Sequence, residues 1–246
     1  MIRVRKQRGF SLVELMIGLT IGLFLLAGLM SIFTQSRRTY AYQQAQAGQQ
    51  SNERLGVAVL TTELQQAGFG QMTDIYILNR AGQYPNSALF GAGEAVAGTQ
   101  GSANVTVNGI AGPQTYPSDT LAVRYWDGPG IVDCVGIPVP PATLSQDVIA
   151  TDGVNLTCST NGGPARPLMG DDQGPVAQQL RVLGMAIAYG LDTNGDESVD
   201  TYQRAGGILN WNQVRVAEVE LTIQAGSRPP ETLSFAVTLE NMHGAI

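Results

Sequence analysis

Apolar and polar positions divide the chain into three regimes. Residues 10 to 33, "FSLVELMIGLTIGLFLLAGLMSIF", are 24 consecutive positions with a single charge, Glu14. As a helix they reach about 36 Å at 1.5 Å per residue, enough to cross a hydrocarbon core of ~30 Å. Residues 34 to 70 keep a helical character but turn polar. They are rich in Gln and Ala, with Leu55, Val59, Leu60 and Leu64 near helical spacing, and Gly68 and Gly70 are the stop signal. From 71 to 246, Gly, Pro, Asn and Ser punctuate short apolar stretches. Strand candidates are "VTVNGIA", "DTLAVRYWD", "GIVDCVGIPV" and "NLTCS", then the stronger "QQLRVLGMAIAYGLD", "NQVRVAEVELTIQA" and "ETLSFAVTLEN". In "RVAEVELTI", Val216, Val219, Leu221 and Ile223 mostly alternate with polar residues, which predicts one buried face. Residues 86 to 175 are loop-rich and suggest an insertion that individualises the head. The order predicts an α+β fold, one long N-terminal helix packed on an antiparallel β-sheet head.

Charge sharpens the first regime. Arg3, Arg5, Lys6 and Arg8 precede the apolar run, Arg37 and Arg38 follow it, and Lys6 is the only lysine. That bias puts the N-terminus in the cytoplasm and the head outside. Beyond residue 8, ten arginines face twenty acids, a balance that argues against a nucleic-acid partner.

Little here points to catalysis. The single histidine, His243, lies near the C-terminus, so neither a His-based metal cluster nor a positioned triad is expected. "GAGEAVAG" at 91 to 98 is Gly- and Ala-rich but lacks the Lys and Ser/Thr of a phosphate-binding loop. The chain is expected not to be an enzyme and to need no cofactor.

A secretory signal places its small-residue cleavage site after the apolar region. Here "TQSRRTYAYQQ" follows instead, and the small residue, Gly9, precedes the run. A cut there is cytoplasmic and leaves the helix on the product. The stretch "KQRGFSLVELMIGL" resembles the signature of type IV prepilins and pseudopilins over residues 5 to 33: a basic leader, Gly at the cut, Phe after it, and Glu as the fifth residue of the product. The resemblance implies that residues 1 to 9 are a leader, that a prepilin peptidase cuts between Gly9 and Phe10, and that the new Phe10 amine is methylated. Residues 10 to 33 then form the transmembrane and filament-core helix, residues 34 to 70 its periplasmic continuation, and residues 71 to 246 the periplasmic head.

Glu14 fits that scheme physically. An acid at mid-bilayer costs on the order of 3 kcal/mol on insertion scales, less when it is one turn from the interface. In a filament core it needs a counter-charge, and the Phe10 ammonium of a neighbouring subunit is suitable. Glu14 is therefore expected to recruit and register the subunit during assembly. Gly18, Gly22 and Gly28 interrupt the helix, either for close packing or local melting in the filament, or as glycines that membrane helices tolerate.

"LTTELQQAGFGQ", the region from Met185 to Ile223 and the final "FAVTLEN" resemble PilW-type minor pilins and J-type pseudopilins. This implies a minor pilin at or near the pilus tip that helps initiate assembly. Its partners would be other minor pilins, the major pilin, prepilin peptidase, the inner-membrane assembly platform and a tip adhesin. A J-type pseudopilin of a type II secretion system, or a membrane-tethered binding domain that never assembles, are the alternatives.

Two features of the head remain. Cys134 and Cys158 are the only cysteines, and an oxidising periplasm favours a bridge between them over two buried thiols. "YGLDTNGDESVDTY" places Asp192, Asn194, Asp196, Ser198 and Asp200 at alternate positions, a spacing that can wrap calcium. It departs from an EF-hand, with Glu197 at the sixth position and Gln203 at the twelfth. The competing reading is an acidic hairpin turn, with Asn194-Gly195 supplying positive φ angles.

Overall fold

The computed structural model describes residues 11–70, 83–101, 105–109, 112–171 and 179–242. The chain separates into two compact units, residues 1–47 and residues 48–246. One helix, α1 (Leu12–Gln66), contributes to both.

In the second unit, α1 runs to its end against the head. Leu60, Leu64 and Ala67 are fully buried. Leu55, expected on this face, is exposed, and Gly56 takes the buried position four residues before Leu60. A Cβ on Gly56 would stand 2.7 Å from Met169 Cβ and Sδ, so only glycine permits this approach. The helix stops where Gly68 adopts φ +80° and its N–H turns to the Arg124 carbonyl at 3.0 Å.

The strands pair antiparallel throughout. One sheet has the order β1 (Val96–Thr99), β4 (Thr120–Trp126), β5 (Leu144–Thr151), β6 (Leu156–Thr160), β7 (Arg166–Met169). The other has the order β11 (Glu231–Thr238), β10 (Val214–Ala225), β8 (Leu180–Leu191), β9 (Thr201–Arg204). A hairpin, β2 (Val105–Gly109) and β3 (Gly112–Tyr116), stands apart. The α+β expectation holds, with two large sheets where one was anticipated. Residues 86–175 contain loops but also all five strands of the first sheet. "GIVDCVGIPV" forms no strand, only an isolated bridge between Val132 and Pro138.

A single apolar cluster joins α1 to both sheets: Leu60 and Leu64 from the helix, Leu121, Val123 and Ile149 from the first sheet, Ile187, Val219 and Leu221 from the second. In β10, Ala217, Val219, Leu221 and Ile223 are buried in alternation. Val216 is on the opposite face, because a bulge between Val214 and Val216 shifts the register and leaves Val214 and Arg215 both buried. Asp119 links the sheets: its carboxylate accepts the Ile187 N–H at 2.8 Å and the Gly101 N–H at 2.7 Å, and Arg204 Nη2 lies 2.7 Å away.

Candidate functional site

The first unit is the candidate site, and its chemistry is that of an uncovered apolar helix. From Leu12 to Phe33 the large side chains are exposed on every side, Leu12 at 75% and Phe24 at 86%. A helix whose large apolar side chains are exposed all round requires lipid or other helices as cover. These residues span about 33 Å at 1.5 Å per residue. The helix is regular through Gly18, Gly22 and Gly28, and a Cβ at any of the three would meet open space. Among the described residues nothing requires glycine there. The Thr20 and Thr34 hydroxyls return to carbonyls of the preceding turn, Thr20 to Ile17 at 2.9 Å and Thr34 to Ser31 at 2.9 Å, so neither leaves a bare donor in the apolar run. At the far end the Arg37 guanidinium stacks 4.4 Å from the centre of the Phe33 ring.

Glu14 occupies the first turn of α1. A carboxylate there is favoured by the helix dipole, typically by about 0.3–1 kcal/mol. Among the described residues no ion pair reaches Glu14. Gly9 and Phe10 lie outside the described residues, as does His243.

The two sequence features of the head are both resolved. Cys134 and Cys158 form a disulfide, with Cα atoms 6.4 Å apart. It ties the loop after β4 to β6. In the acidic turn, Asp192 is buried and its carboxylate accepts the Gly195 N–H at 2.6 Å and the Glu197 N–H at 3.1 Å. Asp196 accepts the Ser198 N–H at 2.9 Å, and Asp200 accepts the Thr193 N–H at 2.8 Å and hydroxyl at 2.7 Å. The Ser198 hydroxyl holds the Asp196 carboxyl below its ordinary range, and the Thr193 hydroxyl does so for Asp200. Positive φ angles fall on Gly195 and Glu197 rather than on Asn194.

Several buried polar groups went unnoticed in the sequence. Arg124 donates to the Glu94, Pro85, Tyr84 and Gly91 carbonyls, with the Tyr84 and Phe90 rings beside its guanidinium, and so fixes the segment 84–94. Glu63, Tyr125 and Asp147 meet beneath the disulfide. The only hint in the sequence is Glu63 one residue before a buried leucine.

Residues 4–30 match the prokaryotic N-terminal methylation motif. Residues 12–30, the apolar start of α1, therefore lie within that motif. The motif and the uncovered helix fit a membrane-anchored subunit of the pilin or pseudopilin kind. Among solved structures the chain is similar to a type IV-like pilin from Thermus thermophilus, at 11% identity and a TM-score of 0.46 over 78% of this chain and 96% of that one. No curated protein matches the chain.

Proposed function

We propose that this chain is a minor pilin of the PilW type that helps initiate type IV pilus assembly and is placed at or near the pilus tip. The observation that carries the reading is the helix from Leu12 to Phe33, apolar and exposed all round, with a carboxylate in its first turn. Before assembly the helix anchors the chain in the inner membrane with the head in the periplasm. A prepilin peptidase cuts between Gly9 and Phe10, the Phe10 amine is methylated, and Glu14 then pairs with the amine of a neighbouring subunit. Other minor pilins and the major pilin supply the helical cover, and the inner-membrane platform drives the transfer. A head with two sheets is bulky, and a filament end is where lateral crowding is least. The chain is a substrate of the peptidase rather than an enzyme, and the reading needs no cofactor.

Deletion of the gene tests the assembly role. Loss of surface pili and twitching with normal exoprotein secretion is expected. Loss of secretion with intact pili makes the protein a pseudopilin of the J type. Processing has its own readout. Lys6 is the only lysine, so a product beginning at methylated Phe10 has no primary amine. A primary-amine reagent should label the uncut chain and leave the membrane-extracted product unlabelled; a labelled product of full length refutes the cut, and a labelled product that begins at Phe10 refutes the methylation.

A further inference from the structure

Glu63 stands on α1 and Asp147 on β5, yet both carboxyl groups meet at one hydroxyl. Tyr125 Oη lies 2.6 Å from Asp147 Oδ2 and 3.3 Å from Glu63 Oε2. The Val132 carbonyl is 3.2 Å from the same hydroxyl, so three acceptors surround a single O–H proton. Glu63 is 1% exposed and Asp147 is fully buried. Asp147 Oδ2 also accepts the Cys134 N–H at 2.8 Å, beside the disulfide. Asp147 Oδ1 is buried without a partner, and among the described residues no cation forms an ion pair with either carboxyl group.

Two carboxyl groups buried side by side, with no counter-charge among the described residues, resist carrying two negative charges at once. Protonation of one removes the repulsion and adds the missing donor. Glu63 and Asp147 share the Tyr125 hydroxyl, and Asp147 Oδ1 is the acceptor that lacks a donor. Asp147 Oδ2 already accepts the Tyr125 O–H and the Cys134 N–H, so the carboxyl group left to act as a donor is that of Glu63.

We propose that Glu63 and Asp147 form a proton-binding site that, with one proton bound at neutral pH, clamps the outer half of α1 to the disulfide-bearing sheet. Burial, then the neighbouring Asp147 charge, then Asp133 at longer range push the Glu63 carboxyl up to about 9. Tyr125 is pushed up by burial and by both carboxyl groups, so it remains a neutral donor. The unfolded chain releases the Glu63 proton above the ordinary value of 4.5, whereas the folded head keeps it to about 9. Stability contributed by the clamp is therefore complete below that lower value and declines as pH rises through the window to about 9. The clamp extends to the helix end, where Gln66 Oε1 accepts the Val132 N–H at 3.0 Å.

The test uses the full oxidised chain in detergent, as wild type and Glu63→Gln. Infrared spectra should show a protonated-carboxylic-acid C=O band in the wild type at pH 7 that Glu63→Gln lacks and that fades above pH 9. Melting temperature of the wild type should fall between pH 5 and pH 9, with a smaller fall in Glu63→Gln, which should melt higher than wild type at pH 8. Absence of the acid band at pH 7 overturns the proposal. So does a Glu63→Gln protein with an unchanged pH slope and a lower melting point at pH 8. A calcium-induced rise in melting temperature that Glu63→Gln abolishes also overturns it, since a cation then fills the place given to the proton. If Glu63→Gln does not fold, the wild-type band alone decides.

Discussion

Asp192 and Arg215 are both buried, and their charged groups are 3.2 Å apart at the point where the acidic turn leaves β8. Arg215 Nη1 also donates to the Asn212 carbonyl at 2.8 Å, so this guanidinium holds the turn and the approach to β10 together. Replacing Asp192 by Ala leaves a buried charge without its partner and two turn N–H groups without their acceptor. Breaking such a pair from one side costs about 3–5 kcal/mol. The Asp192→Ala head should melt well below wild type. The double change Asp192→Leu with Arg215→Met should be milder than either single change, because no lone charge remains. Equal or additive losses would show that the pair is not coupled.

The Cys134–Cys158 bridge closes a loop with a sequence separation of 24. For a loop of that length the chain-entropy estimate is about 3 kcal/mol. Cys134→Ser with Cys158→Ser should shift the denaturant midpoint by that order and leave α1 and the second sheet folded. A double variant with wild-type stability would place the head's stability elsewhere.

Gly56 supplies a contest between two known magnitudes. Alanine in a helix gains up to about 1 kcal/mol over glycine, whereas forcing atoms into a packed contact costs about 1–3 kcal/mol. At 2.7 Å the obstacle includes Met169 Cβ, which cannot swing away like a side-chain end. Gly56→Ala should therefore destabilise the head, and adding Met169→Ala should recover part of the loss. A stabilised single variant would mean that β7 shifts freely.

For the first unit the sharpest measurement is Glu14→Leu with Gly9 intact. The protein should reach the membrane and be cut normally, because the change removes no apolar length. It should then be depleted from sheared filaments at least several-fold. Normal incorporation would remove Glu14 from the assembly step.

These sites differ in how openly the sequence announces them. The apolar run and the stop at Gly68 were legible because length and a single glycine decide them. The strand β5 was not. Its buried face carries Ser145, Asp147, Ile149 and Thr151, so the polar side chains point inward and the alternation reads inverted. Val216 looked like a core residue because a bulge leaves no trace in apolar periodicity. Leu55 misled for the opposite reason: the face it seemed to mark is built around a glycine. Glu63 could not be anticipated either, since an acid on a polar helix is ordinarily solvated, and its partners come from residues 62 and 84 positions later.

The disulfide also fixes an order of events. Its two sulfurs join only where thiols are oxidised, and the loop they close begins at Cys134, whose N–H holds Asp147, two residues after Val132, whose N–H holds Gln66. A chain still on the reducing side of a membrane has that loop untied, and its head is unfinished at the end of α1. Delivery is thus written into the subunit as a covalent time stamp, which a thiol-labelling pulse-chase can read molecule by molecule.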